Sequence, residues 1–148
     1  MSRRPIQTLF AAFFVLVFLL PGTQSHAADL ISHRSYLEDP ARSITFEQAQ
    51  TRIFTEYNGL LARGFTGSAH WIKLRIEPST EATPDNTVIL RIRPVYVDQI
   101  ELYDPLSPTP GRPEISGSFK AFDQSKLGSL SHTFIIAAQP TAREVYLR

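Results

Sequence analysis

Residues 69–77, "AHWIKLRIE", alternate side chain by side chain, and this rhythm constrains the fold more than any other feature of the sequence. His70, Ile72, Leu74 and Ile76 fall on one side, and Trp71, Lys73, Arg75 and Glu77 on the other. A period of two belongs to an extended chain, whose successive Cβ atoms point to opposite faces; a helix would scatter the same aliphatics around its circumference. The run therefore predicts a strand with one face that must be covered. Similar runs follow. In "TVILRIRPVYV" Val88, Leu90 and Ile92 oppose Ile89, Arg91 and Arg93 until Pro94, which has no amide hydrogen to give a ladder, ends the pattern. "VDQIELYD" sets Ile100 and Leu102 against Gln99, Glu101 and Tyr103. "LSHTFIIAA" sets His132, Phe134 and Ile136 against Thr133 and Ile135, and Val145 and Leu147 open a fifth run in "REVYLR".

Only one segment carries a helical signature. In "RSITFEQAQTRIF", Thr45 stands at an N-cap with Gln48 three residues on, the capping-box spacing, and Phe46, Ala49 and Ile53 share a helical face. A short helix over residues 46–53 is predicted, with Ile44 as its hydrophobic staple. Before it, residues 29–40 are mixed and polar, with Tyr36 and Leu37 able to tuck against a body. The connections "EYNGLLARGFTG", "PSTEATPDN" and "DPLSPTPGRPEISGS" are rich in turn residues, and the last, residues 104–118 with four prolines and two glycines, reads as one long loop. Several short strands, one short helix and such connections predict an all-β sandwich, with an α+β domain under one covering helix as the other arrangement.

The N-terminus stands apart from this pattern. Arg3 and Arg4 precede twelve uncharged apolar residues, Leu9 to Leu20, followed by Pro21, Gly22 and the small residues Ser25 and Ala27. This order reads as a secretory signal cleaved after Ala27, the apolar stretch being too short to span a bilayer core of about 30 Å. Residues 28–148 are then the mature domain. Loss of Arg3 and Arg4 takes the formal charge from +1 to −1, so a nucleic-acid partner is not expected. There is no cysteine, which excludes disulfides, thiolate metal sites and thiol redox chemistry and leaves a lipid anchor without its attachment point. The periplasm of a bacterium is the expected compartment.

Beyond the strand rhythm, the order of segments is similar to a known family. The helix "SITFEQAQ", the strand "GFTGSAHWIKLRI", the pair "TVILRIRPVYVDQIELYD", a Pro/Gly loop, then "SHTFII" and "EVYLR" resemble the extracellular sensor domain of bacterial seven-transmembrane receptors with diverse intracellular signalling modules (7TM-DISM). The anchors are Ala69, His70 and Trp71 leading the strand to Ile76, and Val97 to Tyr103; the resemblance covers residues 36–148. It implies a jelly-roll-like β-sandwich similar to carbohydrate-binding modules, placed in the parent protein before seven membrane helices and an output such as a diguanylate cyclase or histidine kinase. Lys73 stands where an Arg is expected. The sequence also ends within a strand pattern, where an unpaired backbone would be an exposed edge, so a further strand and the membrane helices are expected beyond Arg148.

Residues with catalytic spacing are scarce. His33, His70 and His132 do not lie at i+2 or i+4 from one another, so no metal site is expected. Glu77, Asp98, Glu101 and Asp104 offer carboxylates without a defined separation, and neither a nucleophile elbow nor a phosphate-cradling glycine loop is present. The expectation is a binding module without catalysis or cofactor. Trp71, Lys73 and Arg75, with Arg91 and Arg93 on a strand expected to neighbour theirs, form the candidate recognition face: an indole offers a flat apolar surface and guanidinium forks bind carboxylates. Trp71 can equally pack against the helix beginning at Phe46, beneath the stems of Lys73 and Arg75. Tyr96, Asp98, Tyr103 and Arg112 lie near strand ends or on the long loop, where a sheet can present polar groups. The expected partner is a small carbohydrate or carboxylated metabolite; the other arrangement is a protein-interaction module docking on another periplasmic protein or pairing as a homodimer.

Overall fold

The period-two runs become strands that build two sheets. The computed structural model describes residues 29–79, 85–93, 97–117 and 131–148. The expected signal peptide and Tyr96 lie outside the described residues. Eight strands and one helix follow in chain order: β1 (Ile31–Asp39), α1 (Phe46–Gln50), β2 (Thr55–Glu56), β3 (Ala69–Ile76), β4 (Thr87–Ile92), β5 (Ile100–Tyr103), β6 (Glu114–Ser116), β7 (His132–Ala137) and β8 (Arg143–Leu147). One sheet has six strands in the order β2-β1-β3-β8-β5-β6, and β4 and β7 form a two-stranded ribbon. All pairings are antiparallel. The architecture is an all-β sandwich.

Strand parity explains why the large sheet is covered on both faces. Leu74 and Ile76 of β3, Ile100 and Leu102 of β5, and Val145 and Leu147 of β8 point inward, where they meet Leu90 of β4 and Phe134 and Ile136 of β7. The opposite face of the same sheet carries Trp71 and Tyr146, and α1 covers them with Phe46 and Ala49, flanked by Leu37, Ile44, Phe54 and Tyr103. A strand covered on one face alternates apolar with polar residues, whereas the middle strands here carry an aromatic on the second face as well.

Helix α1 is only about one and a half turns long, and its start is built as predicted. The Thr45 hydroxyl accepts from the Gln48 N–H while the Gln48 side chain accepts from the Thr45 N–H. The helix is shorter than the predicted 46–53. Thr51 is its C-cap, and Ile53 is 93 % exposed instead of continuing the buried face of Phe46 and Ala49. Phe54 takes its place over Tyr146, with ring centroids 6.1 Å apart.

Three other expectations are corrected. Residues 31–39 form the long strand β1, which pairs with β3 from Ile31↔Ile76 to Asp39↔Ala69. The loop from Asp104 is interrupted by β6, which pairs with β5 and ends at Gly117. Gly117 has φ 155°, and a Cβ there would collide with the Asp98 carbonyl oxygen. Finally, β8 presents no exposed edge: it lies between β3 and β5, and its pairing runs on to Arg148, which exchanges backbone hydrogen bonds with Glu101 at 2.8 and 2.9 Å.

One ion pair ties the layers together. Arg143, at the start of β8, donates from Nη1 to the Asp104 carboxylate and from Nη2 to the Ala137 carbonyl at the end of β7. The two side chains are 9 % and 12 % exposed.

Candidate ligand cavity and placement of the basic residues

The two sheets diverge at one end of the sandwich and leave a cavity of about 710 Å³ between them. That volume lies within the range of about 300–1,000 Å³ usual for small-molecule sites. Its floor is aliphatic, made by inward residues of four strands: Ile72 and Leu74 of β3, Leu90 and Ile92 of β4, Ile100 of β5 and Leu147 of β8. The connection between β2 and β3 overhangs it with Tyr57, Leu60 and Leu61.

The mouth is basic. Arg34, Arg42, Arg91, Arg93 and Arg148 all line the cavity, against Asp98 and Glu101. Three of these arginines are engaged: Arg34 with Asp29 at 2.7 Å, Arg148 with Glu101 at 3.3 Å, and Arg42 through Nε to the Gly67 carbonyl. Arg91 and Arg93 are exposed and, among the described residues, have neither an ion-pair nor a hydrogen-bond partner for their side chains. His70 also lines the cavity; its Nε2 is buried without a hydrogen-bond partner. Burial pushes the Tyr57 hydroxyl above its ordinary range, the nearby charge of Arg34 acting in the opposite direction.

The predicted recognition face is divided by this topology. Trp71, Lys73 and Arg75 stand on the outer face of the six-stranded sheet, while Arg91 and Arg93 belong to the other layer, because β3 pairs with β1 and β8 and not with β4. Trp71 is fully buried, with the Tyr103 ring 5.2 Å away and the Arg148 guanidinium 5.8 Å from its own ring. It is a core residue beneath α1, and no ligand can lie flat on its indole while the helix is in place. Lys73 reaches Glu144 at 3.5 Å and lies 5.2 Å from the Phe54 ring, and Arg75 bonds Glu77 at 3.1 Å. Asp98, in contrast, joins Arg91 and Arg93 at the cavity. Arg112 lines a separate groove with Asp104 and Leu106.

Tyr103 stacks on Phe46 at 4.9 Å and donates to Glu101 at 2.9 Å. Burial first, and this hydrogen bond second, push its hydroxyl up to about 12. Trp71 Nε1 and Arg148 Nε are both buried donors without an acceptor and line one crevice beside α1, where a water molecule or a ligand oxygen can satisfy them. Among the described residues no three His, Asp or Glu side chains are grouped to hold a metal ion, and no helix is long and apolar enough to cross a membrane.

Arg34, Tyr57, Leu60 and His70 were not among the predicted site residues. The inward parity of Arg34 depends on β1, whose polar sequence hid the strand, and Tyr57 and Leu60 lie on a connection without periodicity. His70 was legible in principle, since it continues the inward series of Ile72 and Leu74.

The family model for the 7TMR-DISM extracellular 2 domain matches residues 32–148, from β1 to the end of β8. The chain belongs to this family. Neither a curated protein nor a solved structure matches it. A 7TMR-DISM extracellular domain is an exported sensor domain of a membrane receptor and not itself a catalytic unit.

Proposed function

We propose that this 7TMR-DISM extracellular domain is a periplasmic ligand-sensing module, that it takes a small molecule or carbohydrate into the cavity between its sheets, and that its parent receptor passes the signal to a diguanylate cyclase or histidine kinase. The observation that carries this reading is the cavity itself: about 710 Å³, floored by aliphatic side chains from four strands and rimmed by two arginines without partners. A ligand bridging β3 and β4 would bias the spacing of the two layers, the kind of two-state element a receptor needs.

A thermal-shift screen of the purified chain against sugars and organic acids tests it. A ligand that binds only the folded state stabilises it by mass action, about 2.7 kcal/mol at one hundred times its Kd. A rise in Tm that scales with ligand concentration supports sensing.

Exposed apolar residues favour a second reading, a protein-interaction or dimerisation module. Leu60 and Phe65, on the connection above the cavity, are 81 % and 113 % exposed. Concentration-dependent self-association that is abolished by Phe65→Ser, without a thermal response to any small molecule, would favour that reading.

A further inference from the structure

We infer that the cavity takes an amphiphilic carboxylate, an aliphatic chain of medium length ending in a carboxyl group, and not a sugar. The inference rests on the ligand-sensing reading above and narrows its ligand class. The floor offers no surface suited to a pyranose ring. Sugar sites combine a flat aromatic face with a dense set of polar groups for the hydroxyls, whereas Ile72, Leu74, Leu90, Ile92, Ile100 and Leu147 give neither. The only tryptophan is sealed under α1. Tyr57, the one aromatic in the cavity lining, meets Tyr36 edge to face at 6.1 Å.

Methylene groups fit such a floor, because each one removed from water against aliphatic walls contributes to binding without a polar partner. The mouth selects the other end of the ligand. Arg91 and Arg93 supply two guanidinium groups free of ion pairs, each with a planar fork that matches a carboxylate. Asp98 at the same mouth disfavours a second negative charge near it. The combination of an apolar interior with an unneutralised cationic rim fits a monoanionic headgroup on an apolar body.

Calorimetric titration of the purified chain with hexanoate, octanoate and decanoate, below their micelle concentrations, tests the assignment beside the alcohols of equal length, glucose and succinate. Affinity should rise about fourfold per added methylene, and each carboxylate should bind at least about tenfold more tightly than its alcohol. The double variant Arg91→Gln/Arg93→Gln should bring carboxylate affinity down to that of the alcohol; both residues are exposed, so the Tm without ligand should not move. Amide shifts on binding should map to β3, β4 and β5 around Ile72, Leu90 and Ile100. Equal affinity for acid and alcohol, or an unaltered double variant, overturns the anionic headgroup. Glucose or succinate binding with shifts at these same residues, and no chain-length dependence, overturns the acyl class while leaving the sensing reading intact. Failure of every compound to bind overturns both.

Discussion

Trp71 shows how one side chain can be decided by what lies over it. Its strand parity places it opposite Ile72 and Leu74, on the face that an ordinary antiparallel sheet would leave to solvent. Here Phe46, Ala49 and Tyr146 enclose it completely. Trp71→Ala therefore removes a buried aromatic and should destabilise the fold by about 3–5 kcal/mol, measured by urea unfolding; Trp71→Phe should retain more than half of that. A ligand-platform role would instead leave stability near wild type. The tyrosines around it add a pH dependence. Burial, with a hydrogen bond to Glu101, raises the Tyr103 hydroxyl to about 12, and burial, with the charge of Glu144, raises Tyr146 to the same value. In the unfolded chain both titrate near 10. Between pH 10 and 12 the unfolded chain therefore binds fewer protons than the native one, so stability is full below about pH 10 and falls as pH rises towards 12. Denaturation midpoints measured from pH 8 to 11.5 should show this fall, and Tyr103→Phe should flatten it. A midpoint unchanged over that range would show that the hydroxyls titrate as if exposed.

Among the elements, α1 has least of its own to stand on. Five residues cannot sustain a helix in water, where nucleation is costly and each further residue adds little. Its capping box and its buried face must hold it in place. Thr45→Ala removes the acceptor for the Gln48 N–H and should cost about 1 kcal/mol, read as a shift in the urea midpoint at constant slope; Thr45→Ser should restore it. The start of this helix was legible in the sequence because a cap is a local device of two residues and a backbone. Its end was not, because the chain leaves the helix at Thr51 to bring Phe54 over Tyr146, a tertiary contact that no local pattern announces. The strands divide in the same way. β3, β4, β5, β7 and β8 were legible because each carries aliphatics on one face. β1 was hidden because its outward series runs His33, Ser35, Leu37 and Asp39; the last is buried but satisfied by the N–H groups of Ser43 and Ile44. β6 was hidden because three residues after Pro113 have no room for a rhythm. Pairing partners lay beyond reach as well. Consecutive strands are commonly neighbours, yet β4 crosses to the second layer, and with it Arg91 and Arg93 leave the face of Trp71 for the mouth of the cavity.

At the scale of the whole molecule the two layers are unequal partners. The six-stranded sheet has cores on both faces and its middle strands β3 and β8 are paired on both sides. The β4–β7 ribbon has two open edges and an outer face on which Ile89 is 49 % exposed, and a lone two-stranded ribbon is marginal in water. Its attachment relies on Leu90, Phe134 and Ile136 packing inward and on the Arg143 guanidinium that joins Asp104 to the Ala137 carbonyl. The ribbon should therefore open at lower free energy than the sheet beneath it. In native-state hydrogen exchange the amides of Leu74 and Val145 should exchange only with global unfolding, while ladder amides of β4 and β7 exchange earlier. Arg143→Lys keeps the charge but loses the fork that grips two acceptors at once, so it should lower protection in the ribbon more than in β3. A ligand held between the layers should act in the opposite sense, raising protection in β4 and β7 first. Uniform protection across both sheets, with or without ligand, would mean that the sandwich opens as one cooperative unit and that its layers cannot carry a signal by moving apart.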